Sequence, residues 1–145
     1  MAALGADPPG DQLFIPSTVI DAIIAHALDD APRECCGLLL GTGPRIARSV
    51  RTRNAQSGTA RYLIDPPDHF SAIREATSLG LSIVGAYHSH PASAPVPSAL
   101  DLDEATHDFY YVIAGVADPA RPDIRAFELA RGNFRPLQLV RLTGS

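Results

Sequence analysis

The run Leu81-Ser82-Ile83-Val84-Gly85-Ala86-Tyr87, continued by His88-Ser89-His90-Pro91, decides how the rest of the chain is read. A short apolar stretch of this kind reads as a central β-strand. Successive side chains along a strand point to opposite faces, so His88 and His90 share one face and Ser89 takes the other. Two imidazoles therefore stand side by side where the strand ends. Asp101 lies eleven residues beyond His90, at the expected start of a helix, and can return to the same place. Pro91, Pro95 and Pro97 stiffen the path between them, which lowers the entropy lost in fixing it.

Outward from this strand, helical and strand patterns interleave. Leu13 to Pro16 reads as a short strand closed by proline. Ser17 is the expected N-cap of an amphipathic helix. Its apolar positions Val19, Ile20, Ile23, Ile24, Ala27 and Leu28 recur at three- and four-residue intervals until a stop near Asp30 and Pro32. The glycine-bounded segment Glu34-Cys35-Cys36-Gly37-Leu38-Leu39-Leu40-Gly41 suits a buried strand, with Arg45 to Thr52 as its partner across a turn at 41–44. A loop over 53–60 and a short strand Tyr62-Leu63-Ile64 come next. A second helix is opened by Asp65 with Pro66 and Pro67, buries Phe70, Ile73, Ala76 and Thr77, and closes at Gly80. Beyond the proline loop, 101–108 reads as a short helix and Tyr110 to Val116 as a strand. Ile124–Leu129 and Leu137–Leu142 form a closing hairpin around Arg131-Gly132-Asn133. Residues 1–10 read as a loose N-terminal tail and 11–143 as a single domain. The fold class is α/β or α+β, a mixed sheet sandwiched by helices.

Length and composition narrow the function. The chain has 145 residues, enough for one domain with a real core, and its 46% hydrophobic and 19% charged residues exclude a disordered chain. A net charge of −4 gives no global attraction to nucleic acid or an anionic membrane. All twelve basic residues are arginine, so no lysine amine is available for modification. A disulfide between the neighbours Cys35 and Cys36 would be strained and would staple nothing, so a reducing compartment is expected. No leader-like segment opens the chain. No apolar run reaches the roughly 18 to 20 residues that span a bilayer. A soluble, cytoplasmic protein is expected.

The chemistry implied at the strand end is hydrolytic. Two neutral histidines, His88 and His90, with the Asp101 carboxylate would leave a zinc ion one open position for water, as in catalytic rather than structural sites. Zinc brings the pKa of such a water to about 7. Glu34, a carboxylate at the mouth of a buried strand, is the candidate general base. Ser98 is the candidate donor to an oxyanion.

His88-Ser89-His90-Pro91, six residues, Ser98, two residues and Asp101, with Glu34 upstream, resembles the JAMM motif of the JAB1/MPN metallopeptidases. The segment from Glu34 to Gly41 resembles that family's early strand, and the resemblance extends roughly over 13–116. It implies a mixed sheet sandwiched by helices, related to the cytidine deaminases. It implies one zinc held by His88, His90 and Asp101, with Glu34 as acid/base and Ser98 stabilising the transition state. It also implies cleavage of peptide or isopeptide bonds that follow the C-terminal Gly-Gly of ubiquitin or a ubiquitin-like protein. Small stand-alone members resemble enzymes acting on sulfur carriers of the ThiS/MoaD type. There is little room here for the long insertions of chain-specific deubiquitinases, so a small carrier-protein adduct is the expected substrate.

Other readings stand beside this one. A non-catalytic MPN module that binds a ubiquitin-like partner or scaffolds a complex would usually lack a ligand or the glutamate, and here every position is filled. A nucleobase deaminase would need a Pro-Cys-x-x-Cys ligand pair, which is absent. Asp103 and Glu104 are rival carboxylates that helix N-terminal acidity explains equally. Cys35 or Cys36 as a nucleophile would need a histidine base, and a leucine-filled strand favours inert thiols. His26, His69 and His107 are expected as exposed helix residues. Arg45, Arg48, Arg51 and Arg53 form either a docking strip for an acidic carrier or a solvated edge strand.

Overall fold

Ser82–His90 is a strand, as its apolar run implies, and it is paired along both edges. The computed structural model describes residues 11–56, 63–98 and 109–143, and among these it holds seven strands and two helices. In chain order they are β1 (Gln12–Pro16), α1 (Ser17–Asp30), β2 (Cys36–Thr42), β3 (Arg45–Thr52), α2 (Pro66–Ser78), β4 (Ser82–His90), β5 (Tyr110–Gly115), β6 (Asp123–Ala130) and β7 (Asn133–Leu142). The strands close a barrel in the order β1-β3-β2-β4-β5-β6-β7, with β7 returning to β1. The β1–β3, β1–β7 and β4–β5 pairs are parallel and the other four antiparallel, which makes the sheet mixed, as expected.

Neighbouring residues in the central strands go to different cores. Leu39 of β2, Tyr87 of β4 and Val112 of β5 pack with Ile20 and Ile23 of α1. Leu38, Ala86 and Ile113, one position along on each strand, pack with Ala72 of α2. Burial on both faces is why these strands read as unbroken apolar runs rather than as alternating patterns. The same division puts one helix against each face, the sandwich that the sequence implies.

Several local expectations need correction. Ser17 is the first residue of α1 rather than its cap, and its hydroxyl accepts a hydrogen bond from Arg141 at 2.8 Å. Asp65 stands at the N-cap of α2 but makes no side-chain cap bond. The buried face of α2 is Ala72 and Ala76, while Phe70 and Ile73 are 63% and 43% exposed and Thr77 is exposed. Small residues at i and i+4 let the helix lie close on the sheet, and the larger apolar ones are pushed to its flanks. Of the expected strand Tyr62-Leu63-Ile64, only Ile64 pairs among the described residues, in an isolated bridge with Asn54. The last hairpin turns on Arg131 and Gly132 alone, both with positive φ (54° and 78°), and Asn133 already belongs to β7. Two left-handed residues give the tight turn that matches strand twist. The expected tail 1–10 and helix 101–108 lie outside the described residues.

His26 is buried, not exposed, with 3% of its surface accessible. Its Nδ1 lies 2.7 Å from the Tyr87 hydroxyl and its Nε2 3.2 Å from Asp30 Oδ2. Tyr87 in turn covers Gly37, where an added Cβ would overlap its ring. Gly37→Ala should therefore lower the melting temperature, by an amount corresponding to about 1–3 kcal/mol of overpacking. An unchanged calorimetric melt would mean that the ring can swing clear. Burial lowers the His26 pKa from 6.5, against the opposing pull of Asp30. The unfolded chain thus binds a proton that the folded one resists, so this contribution to stability is complete above 6.5 and is lost as pH falls. In His26→Gln the decline in stability from about pH 7 to about pH 5 should be shallower than in the parent; parallel curves from urea titrations would refute this.

Candidate functional site

The end of β4 carries His88 and His90 on one face, as strand alternation requires. Both are buried, at 1% and 6% exposure, and their ring centroids are 5.2 Å apart at a tilt of 53°. The His90 Nδ1 lies 2.7 Å from the carbonyl oxygen of Ala94. A carbonyl only accepts, so Nδ1 carries the proton and Nε2 keeps its lone pair for a ligand role. The proline loop thus selects the tautomer of the histidine it follows. It also rests on β5: Pro95 packs where a side chain at Gly115 would have to go, and Gly115 is the register partner of His90.

Glu34 lies just before β2, buried at 6% exposure. Cys36 pairs with His88 in the β2–β4 ladder. The pairing continues beyond that point, because Ser89 N donates to Cys35 O at 3.2 Å and Cys35 N donates to Ser89 Oγ at 2.8 Å. Extending the register by two residues sets Glu34 opposite His90, and opposite residues of an antiparallel pair share a face. Glu34, His88 and His90 are therefore neighbours on one surface. Ser89 is on the other, completely buried and holding the backbone, the structural role its parity implies.

Ser98 is exposed at the far end of the proline loop. Asp101, Asp103, Glu104 and His107 lie outside the described residues. Among the described residues no three His, Cys, Asp or Glu side chains are gathered as a metal cluster, and of the expected ligand set these residues include the two histidines. Their chemistry fits zinc. Two imidazoles, one with its tautomer fixed by a carbonyl, are donors that a borderline cation prefers. The ring nitrogens of His88 and one carboxylate oxygen of Glu34 are also out of contact with solvent, in surroundings where a cation's charge is weakly screened.

The thiols nearby are inert. Burial pushes Cys35 up to about 12 and Cys36 to about 11, so both stay protonated near neutrality. His69, expected as exposed, is half-buried on α2. The arginines of β3, and Arg53 just beyond it, are engaged within the chain. Arg48, Arg51 and Arg53 stand 3.8, 3.0 and 3.4 Å from Glu75, Asp29 and Asp68, and Arg45 lies over the Phe14 ring. β1 joins β3 at Phe14↔Arg45, so from Arg48 onward this side of β3 has the character of an edge among the described residues.

Residues 16–130 match the family model described as prokaryotic homologs of the JAB domain. A CysO-cysteine peptidase of Mycobacterium tuberculosis is 32% identical over 123 residues, covering 83% of this chain and 84% of that protein. A desampylase of Haloferax volcanii is 35% identical over 141 residues, covering 89% and 96%. A solution structure of a protein from Desulfitobacterium hafniense superposes with a TM-score of 0.83 at 25% identity, covering 91% and 94%. A family match over most of the chain and relatives aligned nearly end to end agree with the fold just described: the chain belongs to the prokaryotic branch of the JAB-domain family.

Proposed function

We propose that the chain is a zinc peptidase that hydrolyses the bond following the C-terminal Gly-Gly of a ubiquitin-like or sulfur-carrier protein. The observation that carries this reading is a buried carboxylate, Glu34, set across from His90 on the face it shares with His88. Hydrolysis of an amide needs a base at the nucleophile and an acid at the leaving amine, and one carboxylate in reach of both can serve in turn. The relatives named as a CysO-cysteine peptidase and a desampylase support the reaction class.

In this reading His88, His90 and Asp101 are the residues that would hold the ion. Bound zinc supplies the Lewis acidity that lets water ionise near neutral pH. Glu34 takes the proton of the attacking water and hands it to the departing amine. Ser98 donates a hydrogen bond to the carbonyl oxygen as that atom takes up charge. The Ala94 carbonyl keeps His90 in the tautomer that ligation needs. Among the described residues no helix is long and apolar enough to cross a membrane.

The test is incubation of the zinc-loaded protein with carrier proteins extended past Gly-Gly, read by mass spectrometry. Release of the extension supports the reading, and intact adducts across the set would overturn it. Glu34→Gln should keep its zinc by elemental analysis and lose turnover by about 10²–10⁴-fold; parent-level turnover would remove Glu34 from the mechanism. His88→Ala and Asp101→Ala should each lose the metal, and full zinc occupancy in either would contradict the ligand assignment.

A further inference from the structure

The peptide unit that follows Glu34 is held by side chains from two different strand ends. Its carbonyl, that of Glu34, accepts from Asn54 Nδ2 at 2.9 Å. Its N–H, that of Cys35, donates to Ser89 Oγ at 2.8 Å. Both bonds lie beyond the regular ladders, which close at Cys36↔Thr52 on one side and Cys36↔His88 on the other. Extending the first register by two residues sets Asn54 opposite Glu34, as the second sets His90. Glu34 is therefore flanked by His90 and Asn54, with side chains doing what backbone pairing does elsewhere in the sheet.

The Asn54 side chain is fixed in turn by two backbone amides, and the backbone beside it is braced separately by Arg33. Asn54 Oδ1 accepts from the amides of Gln56 and Leu63, each at 2.9 Å. Its backbone carbonyl accepts from Arg33 Nη2 at 3.3 Å, and the same guanidinium reaches the Gln56 carbonyl at 2.8 Å. Ala55 N donates to Leu63 O at 2.7 Å beside the Asn54↔Ile64 bridge. One amide side chain thus joins the Glu34 backbone to both legs of the segment that leaves β3.

We propose that Asn54 is a positioning residue for Glu34, clamping with Ser89 the peptide unit next to it and so setting where its carboxylate acts. This rests on the reading of Glu34 as the acid/base. A peptide unit is planar, so holding its N–H and its C=O from opposite sides fixes its rotation and the direction in which the Glu34 Cα–Cβ bond leaves the chain. A shift of about 1 Å at a reacting group costs up to about 10²-fold in rate. The clamp supplies orientation and takes no part in binding the substrate.

Asn54→Asp separates the two tasks of this side chain, since a carboxylate still accepts from Gln56 and Leu63 but has no donor for the Glu34 carbonyl. With the zinc-loaded protein and a cleavable Gly-Gly adduct, kcat should fall about 10- to 100-fold while KM stays within about twofold. Arg33→Ala loosens the same segment and spares the clamp, so its kcat should stay within about twofold of the parent even where its melting temperature drops as far. Parent-like kcat in Asn54→Asp, or equal losses in both variants, would reduce Asn54 to a structural residue. The clamp also has a readout without turnover: in the metal-free protein the ¹³C carbonyl resonance of Glu34 should move upfield in Asn54→Asp and hold still in Arg33→Ala. A resonance that does not move in Asn54→Asp overturns the clamp. A parent protein that cleaves no adduct overturns the peptidase reading and the catalytic role of Asn54 with it. That outcome is distinct from failure of the inference alone, in which parent and Asn54→Asp turn over equally.

Discussion

The antiparallel pairing of β2 with β4 runs on past Cys36↔His88 through the two-way exchange between Cys35 and Ser89. That extension ties the site together. Without it Glu34 would sit in an ordinary turn after α1, with nothing to relate it to the histidines 54 and 56 positions further on. With it, one carboxylate and two imidazoles are set on one face of the sheet by backbone register. The strands that carry them are buried on both faces, so the register cannot slip by one residue without turning Leu38, Leu39, Ala86 and Tyr87 into the wrong cores. The same packing that stabilises the sheet therefore fixes the geometry of the site.

The chemistry of the site follows from where its polar groups are kept. Glu34, His88 and His90 are all buried, beside thiols that burial holds in their neutral form. Taking a carboxylate out of water is costly unless charge or hydrogen bonds offset the loss. Asn54 and Ser89 hold the peptide unit that follows Glu34, and a carbonyl stands behind His90. Low dielectric surroundings make each of these contacts count for more than they would at the surface.

Much of this was readable from local pattern. The side of the strand taken by each histidine needs only alternation, and the stripe of α1 needs only its three- and four-residue spacing. The helix stop, the Gly80 termination and the last hairpin each have a local residue that demands them. What escaped depends on partners far along the chain. His26 falls three residues after Ile23, inside the buried stripe, yet its polarity suggested exposure, because the Tyr87 hydroxyl that satisfies it is 61 residues away. The face of α2 departs from the expected one because close approach favours Ala72 and Ala76 over the larger Phe70 and Ile73. Glu34 drew notice as a carboxylate in an odd place and through its family resemblance, while its register with His90 was not visible. Asn54 gave no signal at all: its bonds reach Glu34, Gln56 and Leu63, and no spacing announces such a set.

The barrel closes through β1 and β7, whose first paired residues, Gln12 and Gln138, are 126 positions apart. Pairing of strands so distant comes late, because loop-closure entropy opposes it until other contacts have shortened the span. During synthesis β1 must wait, unpaired on that side, until β7 has left the ribosome. The β2–β4 pair that builds the site spans far fewer residues and can form earlier. The hairpins β2–β3 and β6–β7 are more local still, so contact order runs from those turns through the β2–β4 pair of the site to the seam that seals the barrel.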